Sequence, residues 1–347
     1  MSFTELFGID IPLIQAPLAG VQDSALAIAV SNAGGLGSLP CAMLSLDKLR
    51  EEMTTLSTQL QRRYNANFFC HQPPQADPAR DANWRAQLAP YYREFGLDPD
   101  ASLATPLRQP FNDDMAALVE EFRPGVVSFH FGLPGPRLLE RVRSSGAKIV
   151  ANATTLAEAR WLAARGVDAI IAQGWEAGGH RGIFLSDDLT TQVGTLSLVR
   201  QLAQALDVPV IAAGGIADAA GVAGAMALGA AAVQVGTAYM LCPEARTSAV
   251  HRAALASEAA QHTALTNLFT GRPARGIVNR LMRDFGPVNA IAPAFPLASA
   301  ALAPLRAKAE AAGSGDFSPL WSGQNASGCR AIPAAELTAG LARAFGR

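Results

Sequence analysis

Asp168-Ala-Ile-Ile-Ala-Gln-Gly-Trp-Glu-Ala-Gly-Gly-His-Arg-Gly182 decides the reading of this chain. It opens as a short apolar run with β-branched residues, the pattern of a buried strand. At Gln173 the apolar character stops and a polar, glycine-rich turn follows. Paired glycines let backbone N–H groups come close to a ligand, and His180 adds a group that titrates near neutral pH. A strand that runs out into Gln, Glu, Gly-Gly and His predicts a site as well as a piece of core.

Working outward, the same grammar recurs. Pro12–Pro17, Leu36–Leu39, Asn65–Cys70, Val126–His130 and Lys148–Ala153 read as five strands before the sixth at 168–173. Pro209–Gly215 and Ala232–Thr237 follow as the seventh and eighth. Helical patterns alternate with them: a helix from Ala25 to Asn32 that Ser24 caps, one from about Ser45 to Tyr64, and Asp113–Phe122. Later come Leu156–Arg165 capped by Thr154 or Thr155, Leu196–Leu206, and a small-residue helix capped by Asp218. Eight apolar strands alternating with helices predict an α/β fold of the (β/α)8 TIM-barrel type. An open doubly wound sheet is the competing architecture, but its first strand normally leads into G-x-G-x-x-G, which is absent.

The barrel is expected to occupy residues 1–242. Within it, residues 72–112 lose the apolar periodicity and gain prolines, aspartates, Trp84, Tyr91 and Tyr92, so they read as an insertion after strand three. Such an insertion either folds over a site or makes a surface excursion. Residues 243–347 are expected to form a mainly helical second unit, with a loop at Thr270–Gly276 and a final amphipathic helix from Ala334. Arg272 and Arg275 in that loop are read either as lid residues or as helix caps.

Composition excludes several function classes. Of 347 residues half are hydrophobic and 16% charged, and the formal net charge is −1. Phosphate-driven nucleic-acid binding has no basic patch to rest on. The most apolar stretch, Val208–Pro243, is broken by Asp218 and Gln234 and reads as strand–helix–strand, not as a membrane span. The N-terminus lacks a basic n-region and an apolar h-region, which predicts no secretory signal and a cytoplasmic protein. Cys41, Cys70, Cys242 and Cys329 are scattered, with no CxxC, so reduced thiols and no metal site are expected.

In a barrel of this type the active site lies at the carboxyl ends of the strands. Those ends collect Gln15, Ala16, Pro17, Asn67, His71, His130, Gln173, His180, Gly214, Gly215 and Gln234 to Thr237. His251 and His262 fall outside this set and read as packed or solvated. Gly214-Gly215 and Gly236-Thr237 leave consecutive strands and fit a phosphate cradle, with the Thr237 hydroxyl as an added donor. Amides at Asn67, Gln173 and Gln234 suit a ligand with alternating donors and acceptors, such as an isoalloxazine ring. With no metal spacing, no G-x-S-x-G and Glu176 the only acid directly beside the site, the chemistry is assigned to an organic cofactor.

The segments Gln15-Ala-Pro-Leu-Ala-Gly20, Asn67-Phe-Phe-Cys-His71, Gln173–Gly182, Ala213-Gly-Gly-Ile216 and Val235-Gly-Thr237 resemble the nitronate monooxygenases, formerly 2-nitropropane dioxygenases. The Asn-x-Phe-Cys-His element is similar to the bacterial class I branch in particular. The resemblance implies a TIM barrel with non-covalent FMN that oxidises alkyl nitronates, such as propionate 3-nitronate, with O2 to a carbonyl compound and nitrite. It implies that Asn67, Gln173, Gly178, Gly215, Gln234, Gly236 and Thr237 hold FMN, with Ala16, Pro17, Gly179 and Gly214 completing the candidate set. His180 would face the nitro group, with His130 beside it. Where the class I branch carries tyrosines, this chain has Phe111 and Phe295, which predicts a more apolar pocket. The implied partners are a small nitronate and O2, with no nucleic acid or membrane, in a monomer or homodimer. Two alternatives stand beside this reading: an FMN-dependent NAD(P)H:quinone or enoyl-thioester reductase on the same barrel, and a flavin-free lyase or isomerase acting on a sugar phosphate.

Overall fold

Residues at successive positions of each strand face opposite ways, and here both faces are apolar, which is what strands covered by helices on one side and by one another on the other require. The computed structural model describes residues 2–103 and 108–346. Its strands are β1 (Leu13–Gln15), β2 (Ser38–Pro40), β3 (Asn65–Phe69), β4 (Val126–His130), β5 (Lys148–Ala153) and β6 (Ala169–Gln173). They continue with the two-residue β7 (Gly179–His180), β8 (Val210–Ala213), β9 (Ala232–Val235), β10 (Thr263–Thr266) and β11 (Ala274–Ile277). All but β7, β10 and β11 join one parallel sheet in the order β1-β9-β8-β6-β5-β4-β3-β2. A parallel bridge between Ile14 and Leu36 links its first and last strands, so the sheet closes into the expected (β/α)8 barrel.

The alternation is visible residue by residue. Ile14, Val126, Val150, Ile171 and Ile211 point inward, while Leu13, Val127, Ile149, Ile170 and Val210 meet the surrounding helices. A five-residue helix, Phe3–Phe7, closes the amino-terminal mouth: its two phenylalanines stack at 4.5 Å and share the inner core with the strand starts. The sequence reading did not anticipate this plug.

Local corrections follow hydrogen-bond chemistry. Asp23, not Ser24, caps the helix Ser24–Asn32, its carboxylate accepting from the Ala25 N–H. Ser45 caps a helix that ends at Gln59, before the expected Tyr64, because Leu60 turns extended toward β3. Thr155 is the cap of Leu156–Ala163, and Asp218 caps Ala219–Ala227.

The inserted stretch after β3 holds a 17-residue helix, Pro78–Glu94, whose Trp84, Leu88 and Tyr92 are buried. They pack against the helix Ala298–Ala311 through Leu302 and Leu305, with Phe317 beneath. Residues 104–107 of the stretch lie outside the described residues. Beyond β9 the chain carries a hairpin as well as helices. β10 and β11 form an antiparallel hairpin, and β7 adds to it as a third strand, pairing His180 with Ala274 and Gly179 with Arg275. The final helix, Ala334–Ala342, returns to the barrel and sits against the helices Ser24–Asn32 and Ala219–Ala227, burying Leu337 and Leu341.

Candidate active site

Of the strand-end residues named from the sequence, all but Gln15, His71 and Val235 face one cavity. Ala16, Pro17, Asn67, His130, Gln173, Gly178, Gly179, His180, Gly214, Gly215, Gln234, Gly236 and Thr237 all line it. His71 lies beside this wall, its ring edge-on to Phe295 at 4.8 Å.

At one end the backbone is shaped for close approach. Gly214 and Gly215 have φ of 117° and 72°, a region where a side chain is strained. A Cβ on Gly178 would come within 2.5 Å of the Gly323 nitrogen. No side chain caps the 3-10 turn that starts at Thr237. The Thr237 hydroxyl accepts from the Gly323 N–H at 3.0 Å, which leaves its own proton for an oxygen in the cavity. Asn325 donates to the Gly215 carbonyl at 3.1 Å, and the Gln324 N–H to the Glu176 carbonyl at 2.9 Å. The segment 322–325 is therefore a strap across three barrel loops. Trp321, Ser322, Gly323 and Asn325 line the cavity although nothing in their local sequence marks them.

The amides divide into two kinds. Gln173 holds the polar turn together: its Nε2 donates to the His180 carbonyl at 2.9 Å and its Oε1 accepts from the Gly182 N–H at 2.8 Å. Asn67 donates to the Ser128 hydroxyl at 2.9 Å. Gln234 is different, because its Oε1 is buried with no hydrogen-bond partner among the described residues. Such an acceptor in a cavity wall calls for a donor from a ligand. Glu176 serves the scaffold, accepting from the Thr195 N–H and hydroxyl at 2.8 and 2.6 Å and so capping the helix Thr195–Ala205. The buried Arg181 donates to the carbonyls of Gln173 and Gly174 and clamps the same turn.

The other end is aromatic. Phe69, Phe131 and Phe295 surround the histidines, with Phe295 5.4 Å and Trp321 5.5 Å from the His180 ring. Phe111 takes no part, since it packs on Phe68 and Phe129 between strands and helices. His180 is held on both sides: its backbone pairs with β11, and its Nε2 lies 2.9 Å from the Thr270 hydroxyl. His130 Nε2 stands 3.2 Å from the His180 carbonyl. A carbonyl only accepts, so His130 carries its proton on Nε2.

Burial, and then the nearby guanidinium charges, hold these rings neutral. His130 is pushed down to about 3 by burial and by Arg272, and His71 to about 4 chiefly by burial. His180 is lowered well below its ordinary value by burial and then by the Arg108 charge. Arg272 and Arg275 cap no helix. Arg272 donates to the Ile183 carbonyl and lies 4.2 Å over the Phe131 ring, and Arg275 donates to the Trp175 carbonyl at 3.1 Å. Both tie the hairpin to the turn after β6. His251 is packed, 3.0 Å from the Trp321 carbonyl.

Comparison with known proteins agrees with this geometry. The family model described as nitronate monooxygenase matches residues 1–343. A nitronate monooxygenase of Paraburkholderia phytofirmans is 44% identical over 340 residues, 97% of this chain and 93% of that protein. One of Pseudomonas aeruginosa is 44% identical over 96% of each chain. Among solved structures, nitroalkane oxidase from Streptomyces ansochromogenes superposes with a TM-score of 0.88 at 37% identity, covering 100% of this chain and 99% of that one. No described helix is long and apolar enough to cross a membrane. The chain is an oxidoreductase belonging to the nitronate monooxygenase family.

Proposed function

We propose that this protein binds FMN in the strand-end cavity and uses it to oxidise alkyl nitronates with O2, yielding a carbonyl compound and nitrite. The observation that carries the reading is the convergence of two ends in one cavity. A glycine-lined cradle with a free Thr237 proton lies at one end, and a neutral, hydrogen-bonded histidine in an aromatic cage at the other. The residues present fit FMN. The backbones of Gly215 and Gly236 with the Thr237 hydroxyl would hold its phosphate. The partnerless Gln234 Oε1 would accept from the ring system, beside Asn67 and the Gly178-Gly179 backbone. FMN, when bound, would supply the electron acceptor for the nitronate and the means of passing electrons on to O2.

The chain's own groups would do the rest. A nitronate already carries the charge that a base would otherwise have to create, so the site needs a donor more than a base. The Thr270 hydroxyl has one proton and two acceptors in reach, His180 Nε2 at 2.9 Å and the Arg272 carbonyl at 3.3 Å. Donation to His180 would place the ring's proton on Nδ1, within reach of a nitro oxygen, whereas donation to the Arg272 carbonyl would make Thr270 the acceptor of a His180 Nε2 proton. His130, beside it, steadies the His180 backbone through the carbonyl. Phe69, Phe131 and Phe295 exclude water and so strengthen these hydrogen bonds.

The test is aerobic turnover of propionate 3-nitronate by protein whose flavin content has been measured after release by denaturation. Nitrite formation proportional to bound FMN is expected. Protein that binds no FMN overturns the reading, and flavin-loaded protein that makes no nitrite but oxidises NADH with a quinone moves it to the reductase alternative.

A further inference from the structure

Arg108 lines the cavity, and its half-buried guanidinium differs from the other guanidinium groups around the site. Arg181, Arg272 and Arg275 each donate to backbone carbonyls. Among the described residues the Arg108 guanidinium reaches the Met43 sulfur, 3.9 Å away, and the Phe295 ring at 5.6 Å. Among the described residues its buried Nη1 has no hydrogen-bond partner and no carboxylate pairs with it. A half-buried guanidinium that faces a thioether and an aromatic ring, with its Nη1 buried and unpartnered, keeps part of its planar fork of donors unspent, an arrangement that costs stability unless a ligand uses it. Burial pulls its pKa down to about 10, so it remains a cation at neutral pH.

Its placement says which ligand. Phe295 lies between the two groups, 5.6 Å from the Arg108 guanidinium and 5.4 Å from the His180 ring. Phe295 brings no hydroxyl, and Arg108 is a charged donor at that end whose Nη1 is unspent among the described residues. We infer that Arg108 is a specificity-determining residue that takes the carboxylate at the far end of the substrate while His180 meets its nitronate end. The site then selects short nitronates bearing a terminal carboxylate over those with an apolar tail, because a planar fork matches a carboxylate with two parallel hydrogen bonds. This rests on the nitronate reading given above.

The experiment compares propionate 3-nitronate with 3-methylbutyl 1-nitronate, whose isopropyl end keeps the carboxylate's shape without its charge. Wild-type protein and the variants R108M and R108K are assayed with both, alongside bound FMN and calorimetric binding of 3-nitropropionate. Wild type is expected to favour the carboxylated substrate in kcat/KM by at least about tenfold. R108M is expected to collapse that ratio toward one through KM, with FMN content retained, and R108K to keep part of it. Parallel loss on both substrates, or loss of FMN, overturns the assignment and makes Arg108 a scaffold or cofactor residue. If wild type oxidises neither compound the nitronate reading fails, and the Arg108 assignment is then decided by calorimetry. At least about tenfold weaker 3-nitropropionate binding in R108M upholds it, and equal binding overturns it.

Discussion

Thr270 controls His180 through one oxygen. Replacing it with valine keeps the shape and removes the hydroxyl that stands 2.9 Å from the ring. T270V is expected to lower kcat/KM for nitronates by about tenfold to a hundredfold, with T270S close to wild type. Steady-state assay of both variants at equal flavin content checks this, and equal activity of T270V would remove Thr270 from the site's working parts. Because burial and the Arg108 charge hold His180 far below its ordinary pKa, the ring is already neutral throughout the neutral range. The kcat/KM profile is therefore expected to show no histidine step between about pH 6 and 8. At this scale much was legible: a polar residue or glycine ending an apolar run marked each strand mouth. What the run could not reveal is how each amide is spent. Gln173 and Gln234 look alike in sequence, yet one clamps a turn and the other is left with a bare acceptor.

At the scale of elements, the helix Pro78–Glu94 is held by few but large contacts. Trp84 donates to the Ala298 carbonyl at 3.3 Å and Tyr92 to the Ala301 carbonyl at 2.6 Å, across to a helix some two hundred residues later. W84A removes the largest of these side chains and is expected to cost about 3–5 kcal/mol. Urea unfolding checks this: the midpoint should fall, and a loss confined to this helix would also change the slope. The helix was missed although Trp84, Leu88 and Tyr92 have helical spacing. Three large apolar residues among charges and prolines make a thin stripe, and the partner that justifies it lies far along the chain. β7 was invisible for a related reason: two residues become a strand only because β11 arrives to pair with them.

For the whole molecule, the buried histidines set how stability responds to acid. His71, His130, His180 and His251 all have folded pKa values below their ordinary one, to about 4, 3, well below, and about 4 respectively, with burial the leading cause. Below about pH 6.5 the unfolded chain binds protons that the folded chain refuses, so unfolding becomes easier as pH falls. The stabilisation is complete above that pH and is lost progressively down to pH 4 and lower. Thermal melts at pH 7 and pH 5 are expected to show a clearly lower Tm at pH 5, and replacing the peripheral His251 with asparagine should flatten the slope. The barrel itself was legible throughout, since eight apolar runs each met a stop. The strap was not, because its bonds to Thr237 and Gly215 join positions 86 and 110 residues apart with no repeating pattern to announce them.

That strap also imposes an order of events during synthesis. A ribosome delivers all eight barrel strands before it reaches residue 322, and domains begin to fold from the amino-terminal side as they emerge. The wall formed by Gly323 and Asn325 is therefore the last part of the cavity to be made. A nascent barrel stands open at this end until the strap has emerged and bonded to Thr237 and Gly215.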